Sequence, residues 1–171
     1  MIYWSPFHYQ NIEYDLSHLH PMRWTLTQPA INGKPEKNYR FSVVFSLHTF
    51  TQSFEDRHDR ELSYSDARET RAFCFNRYQD SFELPEIIQR LDQGYVFHTG
   101  KQNFLRIDKD NGTYEVYFVV KRSKLPDIDL DIYVQSSYKR TKGNSPKAGK
   151  IKFTVVAYNT MNNRPIKPPR R

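Results

Sequence analysis

Three runs in the last third of the chain constrain its fold more than any other feature. From Thr113 the sequence reads TYEVYFVVKR, then DIDLDIYVQSSYKR from Asp127, then KIKFTVVAY from Lys150. Each is rich in β-branched and aromatic residues and is bordered by turn chemistry, so each reads as a strand. Asn111-Gly112 supplies the positive φ angles of a tight hairpin turn between LRIDKD and the first run. Strands of this kind need partners, and the chain is therefore expected to build a sheet.

The earlier sequence adds to that sheet and covers it. Tyr39–Thr51 alternates, with Phe41, Val43, Phe45 and Leu47 on one face, and reads as a strand. Gln52–Thr70 has no sustained apolar period and reads mostly as loop, and Arg71–Tyr78 as a short extended segment. Residues 82–93 predict an amphipathic helix, with Leu84, Ile87, Ile88 and Leu91 on one side, Ser81 as N-cap and Gly94 as its stop. Tyr95–Thr99 and Asn103–Asp108 predict two more strands. The expected fold is α+β: a mainly antiparallel sheet of five or six strands, with helix 82–93 and the aromatic N-terminal segment packed on one face. Residues 1–158 are expected to form one domain and 159–171 a basic, Pro-rich tail.

Charge is segregated along this scaffold. After Asp131 there is no Asp or Glu, yet ten Lys and Arg follow, more than the net +7 of the whole chain. Residues 1–131 hold 16 basic against 19 acidic residues and so carry −3. An acid-free basic segment points to an anionic partner, with nucleic acid favoured. The lone Cys74 excludes an internal disulfide and a cysteine zinc cluster. No apolar run approaches the ~20 residues of a membrane span, and the N-terminus lacks a signal-peptide pattern. A cytoplasmic protein is expected, with no membrane partner and no cofactor.

Alternation assigns side chains to faces. It places Phe104, Arg106, Tyr117, Tyr133, Gln135, Ser137, Lys152 and Tyr158 together on the outer face of the sheet. Aromatic rings interleaved with cations suit single-stranded RNA, rings stacking on bases and cations meeting phosphates. The expected nucleic-acid contacts are Phe104, Tyr133, Lys139, Arg140, Lys142, Lys150, Lys152 and Tyr158.

Catalytic candidates follow from histidine. His48 and His98 stand at the ends of apolar strands, where either can serve as acid or base on a ribose hydroxyl. Arg106, Lys101 or Arg77 can stabilise the developing phosphate charge, and Tyr117, Ser137 or Tyr138 can position it. Such chemistry needs no metal. His18 and His20 have a chelating i, i+2 spacing but no accompanying ligand pattern, so no metal site is assigned.

The helix followed by an antiparallel sheet, with His98 entering it, Arg106 on the next strand and the late QSSYKR strand, resembles the small metal-independent ribonucleases. These are the toxin-type and phage-borne nucleases of the barnase, EndoU, colicin and RelE assemblage. The FSLHTFT strand at Phe45–Thr51 is similar to that of uncharacterised proteins of bacterial mobile elements and defence loci. The resemblance implies an RNA-directed protein, a metal-independent endoribonuclease of toxin or antiviral-defence type. Two alternatives use the same features: a non-catalytic nucleic-acid-binding or regulatory module, and a protein-interaction subunit whose basic tail meets an acidic partner such as an antitoxin.

Overall fold

The computed structural model describes residues 2–30, 32–33, 35–99, 102–109, 112–140, 143, 145–146 and 148–167. In chain order the strands of the first half are β1 (Phe7–Tyr9), β2 (Ile12–Tyr14), β3 (Met22–Gln28), β4 (Lys37–Phe45), β5 (Thr51–Gln52), β6 (Ser63–Ser65) and β7 (Thr70–Phe73). Helices α1 (Phe75–Ser81) and α2 (Leu84–Gln89) follow, then β8 (Tyr95–His98), β9 (Asn103–Lys109), β10 (Gly112–Arg122), β11 (Leu130–Arg140), β12 (Gly149–Lys152) and α3 (Phe153–Met161).

The main sheet has seven strands in the order β12-β8-β9-β10-β11-β4-β3. It is mixed, because β4 and β11 run parallel, with Leu130 opposite Phe41 and Val134 opposite Phe45. This corrects the expectation of a mainly antiparallel sheet of five or six strands. A parallel pair needs a long crossover, and here the crossover consumes the whole middle of the chain. Part of that segment forms a three-stranded sheet, β5-β7-β6, whose strand β7 overlaps the extended segment expected at Arg71–Tyr78 and whose strand β6 lies in the connection read as loop.

The inner face of the main sheet holds the core, and the sheet curls around α3. Phe153, the first residue of α3, packs against Trp24 of the edge strand β3, Phe41 of β4 and Phe118 of β10, at ring separations of 5.9, 5.7 and 6.1 Å. The run KIKFTVVAY is thus half strand and half helix. Phe153, Val156 and Ala157 are buried, at the i, i+3, i+4 spacing of a helix face. Its β-branched residues suit either conformation locally, and burial in the curl selects the helix. The N-terminal segment packs into the same core through Trp4, Phe7, Leu16 and Leu19. Trp4 also donates its indole N–H to the Phe45 carbonyl at 3.1 Å.

Helix 82–93 is divided. Its α-helical part is α2, with Pro85 in the first turn, continued by a 3-10 turn at Arg90–Gln93. Ser81 ends α1 instead of capping α2, its hydroxyl bonding back to the Tyr78 carbonyl at 2.6 Å. Leu84, Ile88 and Leu91 are buried as the apolar period requires, with Ile87 packed against the same core.

One irregularity decides what faces where. In the β10–β11 ladder Phe118 pairs with Val134, but Tyr117 pairs with Ser136, so Gln135 is an extra residue. This β-bulge reverses the parity of β11. Before it, Leu130, Ile132 and Val134 point inward; beyond it, Ser137 and Lys139 do so, while Ser136, Tyr138 and Arg140 turn outward.

Candidate functional site: a polar cleft beside the bulge

The bulge opens a polar cleft of about 540 Å³ on the outer face, lined by Ser46, His48, Arg68, Glu69 and Gln102 on one side and Tyr117, Tyr133, Gln135 and Ser136 on the sheet. The Gln135 backbone carbonyl accepts a 2.5 Å hydrogen bond from the Ser46 hydroxyl, which ties β11 to the end of β4. Its side-chain Oε1 is buried and has no hydrogen-bond partner among the described residues. A buried carbonyl left unpaired costs about 1–3 kcal/mol, so a ligand that donates a hydrogen there regains that amount.

His48 occupies a 3-10 turn, Leu47–Thr49, held in place at both ends. The Ser46 hydroxyl accepts the His48 backbone N–H, and Arg77 of α1 donates Nη1 to the carbonyls of His48 and Thr51 at 3.1 and 2.7 Å. The His48 Nε2 lies 2.7 Å from the Glu69 Oε1, and Arg71 holds the other Glu69 oxygen at 3.3 Å. The hydrogen bond from His48, with Arg71 helping, keeps the Glu69 carboxyl below the usual carboxylate range. An anionic Glu69 fixes a proton on Nε2 and leaves Nδ1 as the basic nitrogen of the neutral ring. Across the cleft, Arg68 Nη2 reaches the Tyr133 hydroxyl at 3.4 Å.

The floor is a buried charged network. Glu115 is fully buried and its carboxylate accepts from Arg140 at 2.9 Å, from the Tyr117 hydroxyl at 2.6 Å and from the Ser145 hydroxyl. Burial pushes this carboxyl up, but the three donors outweigh it and the net displacement is downward. Burial and the neighbouring Glu115 raise the Tyr117 phenol far above its ordinary value, so it stays neutral. Tyr117 also belongs to a stack of rings across four strands: Phe97, Phe104, Tyr117 and Tyr138, with successive centroids 5.0, 5.2 and 5.7 Å apart.

The structure divides the residues singled out from sequence. His48, Tyr117 and Tyr133 converge on the cleft. Phe104 and Tyr117 share a face as alternation predicts, but they are 0% and 5% exposed and stack on each other. Ser137 is turned inward by the bulge, its hydroxyl 3.4 Å from the Thr49 carbonyl. Lys139, also inward, pairs with Asp80 at 3.0 Å, and Arg140 with Glu115. Both cations are therefore committed internally. Arg106, Lys150 and Lys152 are exposed on the outer face, Arg106 and Lys150 standing 4.8 and 5.6 Å from the Phe97 ring. Tyr158 sits on α3, away from them, against Lys37 and Arg164. His98 faces the α3 side of the sheet, opposite to His48. Lys101 and Lys142 lie outside the described residues. His18 and His20 part company, His18 bonding to Ser81 and His20 to the Trp4 carbonyl. Sequence reasoning missed Arg68, Glu69 and Gln102, which sit in segments without periodicity; it placed Gln135 with Tyr117 and Tyr133 as the structure does, but not the bulge there, because a bulge leaves no trace in alternation.

Fold and site together define an α+β protein with a curled, mixed seven-stranded sheet and a polar cleft beside a bulge in its longest ladder. The YjaZ family profile matches residues 6–161. The chain is also similar to Protein YjaZ of Escherichia coli (strain K12), 31% identical over 173 residues that cover 97% of this chain and 95% of that protein. The chain belongs to the YjaZ family. No solved structure matches it. This membership overturns the resemblance to toxin-type ribonucleases, which rested on element order with His98, Arg106 and the QSSYKR strand, and that to proteins of mobile elements and defence loci, which rested on the FSLHTFT strand. No catalytic role passes to His98 or Arg106 by that route. None of the described helices is long and apolar enough to cross a membrane.

Proposed function

We propose that the chain is a single-stranded RNA-binding protein that takes one nucleotide into the His48–Glu69 cleft. The observation that carries this reading is the unpaired Gln135 Oε1, buried in the wall of a cleft that His48, Tyr133 and Gln102 also line. An amide carbonyl awaiting a donor suits a base edge, which offers N–H groups. Tyr133, half-buried, offers a ring for stacking, and Arg68 a cation at the rim. The exposed Arg106, one strand from Tyr117, and Lys150 and Lys152, three strands or roughly 14 Å away, lie on the same face and supply charge for the flanking phosphates.

The test is a gel-shift titration of purified protein with labelled single-stranded RNA in EDTA, following intact and shortened RNA together. Gln135→Leu and Tyr133→Ala are expected to weaken binding about tenfold each, the value of one hydrogen bond to a buried group or one stacked base. Unchanged affinity in both variants would refute the cleft as the binding site. A second reading, metal-independent cleavage with His48 as base toward a 2′-hydroxyl, is favoured by the 2.7 Å contact that orients the imidazole. It predicts shortening in EDTA that disappears in His48→Ala. A shift without shortening leaves a binding module, and neither effect redirects attention to an acidic protein partner.

A further inference from the structure

A second cavity lies on the opposite side of the sheet, at the far end of α3. It measures about 460 Å³ and is bordered by His98, Lys121, Arg122 and Arg164 together with Val120 and Asn163. Among the described residues, no carboxylate lines it. The three cations are exposed and form no ion pair with a described residue.

Behind them stands His98, only 4% exposed. Its Nδ1 lies 2.9 Å from Asn103 Oδ1 and therefore carries the proton, donating to that oxygen. Its Nε2 is then a bare lone pair in the neutral ring, and it has no partner among the described residues. Three carbonyls at the end of α3 are already engaged and do not compete for the cations. Tyr158 accepts from Asn162, Thr160 from Asn163, and Asn159 from Arg164 at 2.8 Å.

We infer that this cavity is a binding site for a protonated phosphate group, free or as a monoester, with Arg122 and Arg164 donating to its oxygens and His98 Nε2 accepting its P–OH. The donor set explains the class of ligand. Guanidinium groups match phosphate oxygens in bidentate fashion, while a ring nitrogen that can only accept selects an anion that still carries a proton. Sulfate, fully ionised near neutrality, offers no such hydrogen. The site is separate from the RNA cleft and does not depend on it.

The experiment is calorimetric titration of the full chain at pH 6.5 with inorganic phosphate, glycerol 3-phosphate and sulfate, at constant ionic strength set with sodium chloride so that screening is equal. Phosphate is expected to bind about tenfold more tightly than sulfate, the worth of one hydrogen bond to a charged group. His98→Phe is expected to erase that preference while leaving weak binding of both anions. The double substitution Arg122→Gln and Arg164→Gln, on exposed positions that do not threaten folding, is expected to abolish binding. Glycerol 3-phosphate meeting the same requirements supports the inference and extends it to an esterified ligand. Equal affinities for phosphate and sulfate in the unmodified protein, or phosphate binding that survives the double substitution, overturn it.

Discussion

The buried Glu115–Arg140 pair gives the sharpest test of how the cleft is held. Arg140→Ala removes the strongest donor from a carboxylate that is 0% exposed, leaving Tyr117 and Ser145 to satisfy it. Breaking a buried pair by deleting one partner costs about 3–5 kcal/mol, because the remaining charge stays desolvated. For a chain of 171 residues that corresponds to a fall in Tm of roughly 6–20 °C. The pH dependence carries a sign of its own. In the intact protein the donors hold Glu115 below its ordinary value. Its contribution to stability is therefore present above the unfolded pKa, about 4.3, and is lost as pH falls through the lower folded value. In Arg140→Ala burial prevails, the folded pKa rises above the unfolded one, and protonation becomes favourable to the fold. The deficit of the variant should be largest at pH 7–8 and should shrink toward pH 4. Urea denaturation at pH 7.5, 5.5 and 4.5, followed by tryptophan fluorescence, reads this directly. A deficit under about 1 kcal/mol at pH 7.5, or one that is flat with pH, would refute the reasoning. The companion variant Glu115→Leu with Arg140→Met should recover most of the loss, since an apolar pair of similar volume replaces a buried ion pair at little cost.

Other perturbations separate structure from site. Phe153→Ala should destabilise by about 3–5 kcal/mol in thermal unfolding, because the ring is fully buried among Trp24, Phe41 and Phe118. Gly112→Ala should lower stability by about 1–3 kcal/mol, since Gly112 has φ +125° and an added Cβ would meet the Arg140 carbonyl at 3.2 Å. Glu69→Gln should change stability by less than about 1 kcal/mol, its side chain being 39% exposed, while altering RNA affinity or turnover at the cleft. His18→Gln should flatten the loss of stability between pH 7 and pH 5. Burial holds the folded pKa of His18 below its free value, so its neutral form favours folding above about 6.5 and that advantage is lost as pH falls.

The parts of this fold that depend on local pattern are legible in the sequence. Strands β8 to β11 stand where alternation places them, and the buried leucines and isoleucines of α2 follow their helical period. The parts that depend on partners are not. Nothing near Phe41 announces that it will run parallel to Leu130, because the crossover between them is not a pattern of either strand. Phe153-Thr154-Val155-Val156-Ala157 satisfies a period of two and a helical period at once, and only the curl of the sheet distinguishes them.

The same logic explains why the site was half legible. Alternation extrapolated through DIDLDIYVQSSYKR places Tyr133, Gln135 and Ser137 on one face and commits Lys139 to solvent. One extra residue at Gln135 reverses that parity, sending Ser137 and Lys139 inward and Ser136, Tyr138 and Arg140 outward. The reversal does more than relocate side chains. It brings Lys139 to Asp80 on α1 and Arg140 to Glu115 on β10, removing two cations from the pool available to an anionic partner. The expectation drawn from an acid-free C-terminal segment thus weakens where acids from elsewhere in the chain fold against it. Among the described residues, the exposed cations left for a partner include Arg106, Lys150 and Lys152 on one face and Arg122 and Arg164 beside the cavity on the other. A deletion of Gln135 offers the corresponding test of the bulge. It should leave a regular ladder in which Ser136 follows Val134 directly, so that Ser136, Tyr138 and Arg140 still face outward, Ser137 and Lys139 still face inward, and the Glu115–Arg140 and Asp80–Lys139 pairs persist. The extra residue and its bond to Ser46 are lost, the cleft closes, and RNA binding should be lost more completely than in Gln135→Leu, in which the bulge and that bond persist. Deletion and substitution with equal affinity would mean that the bulge does not build the site.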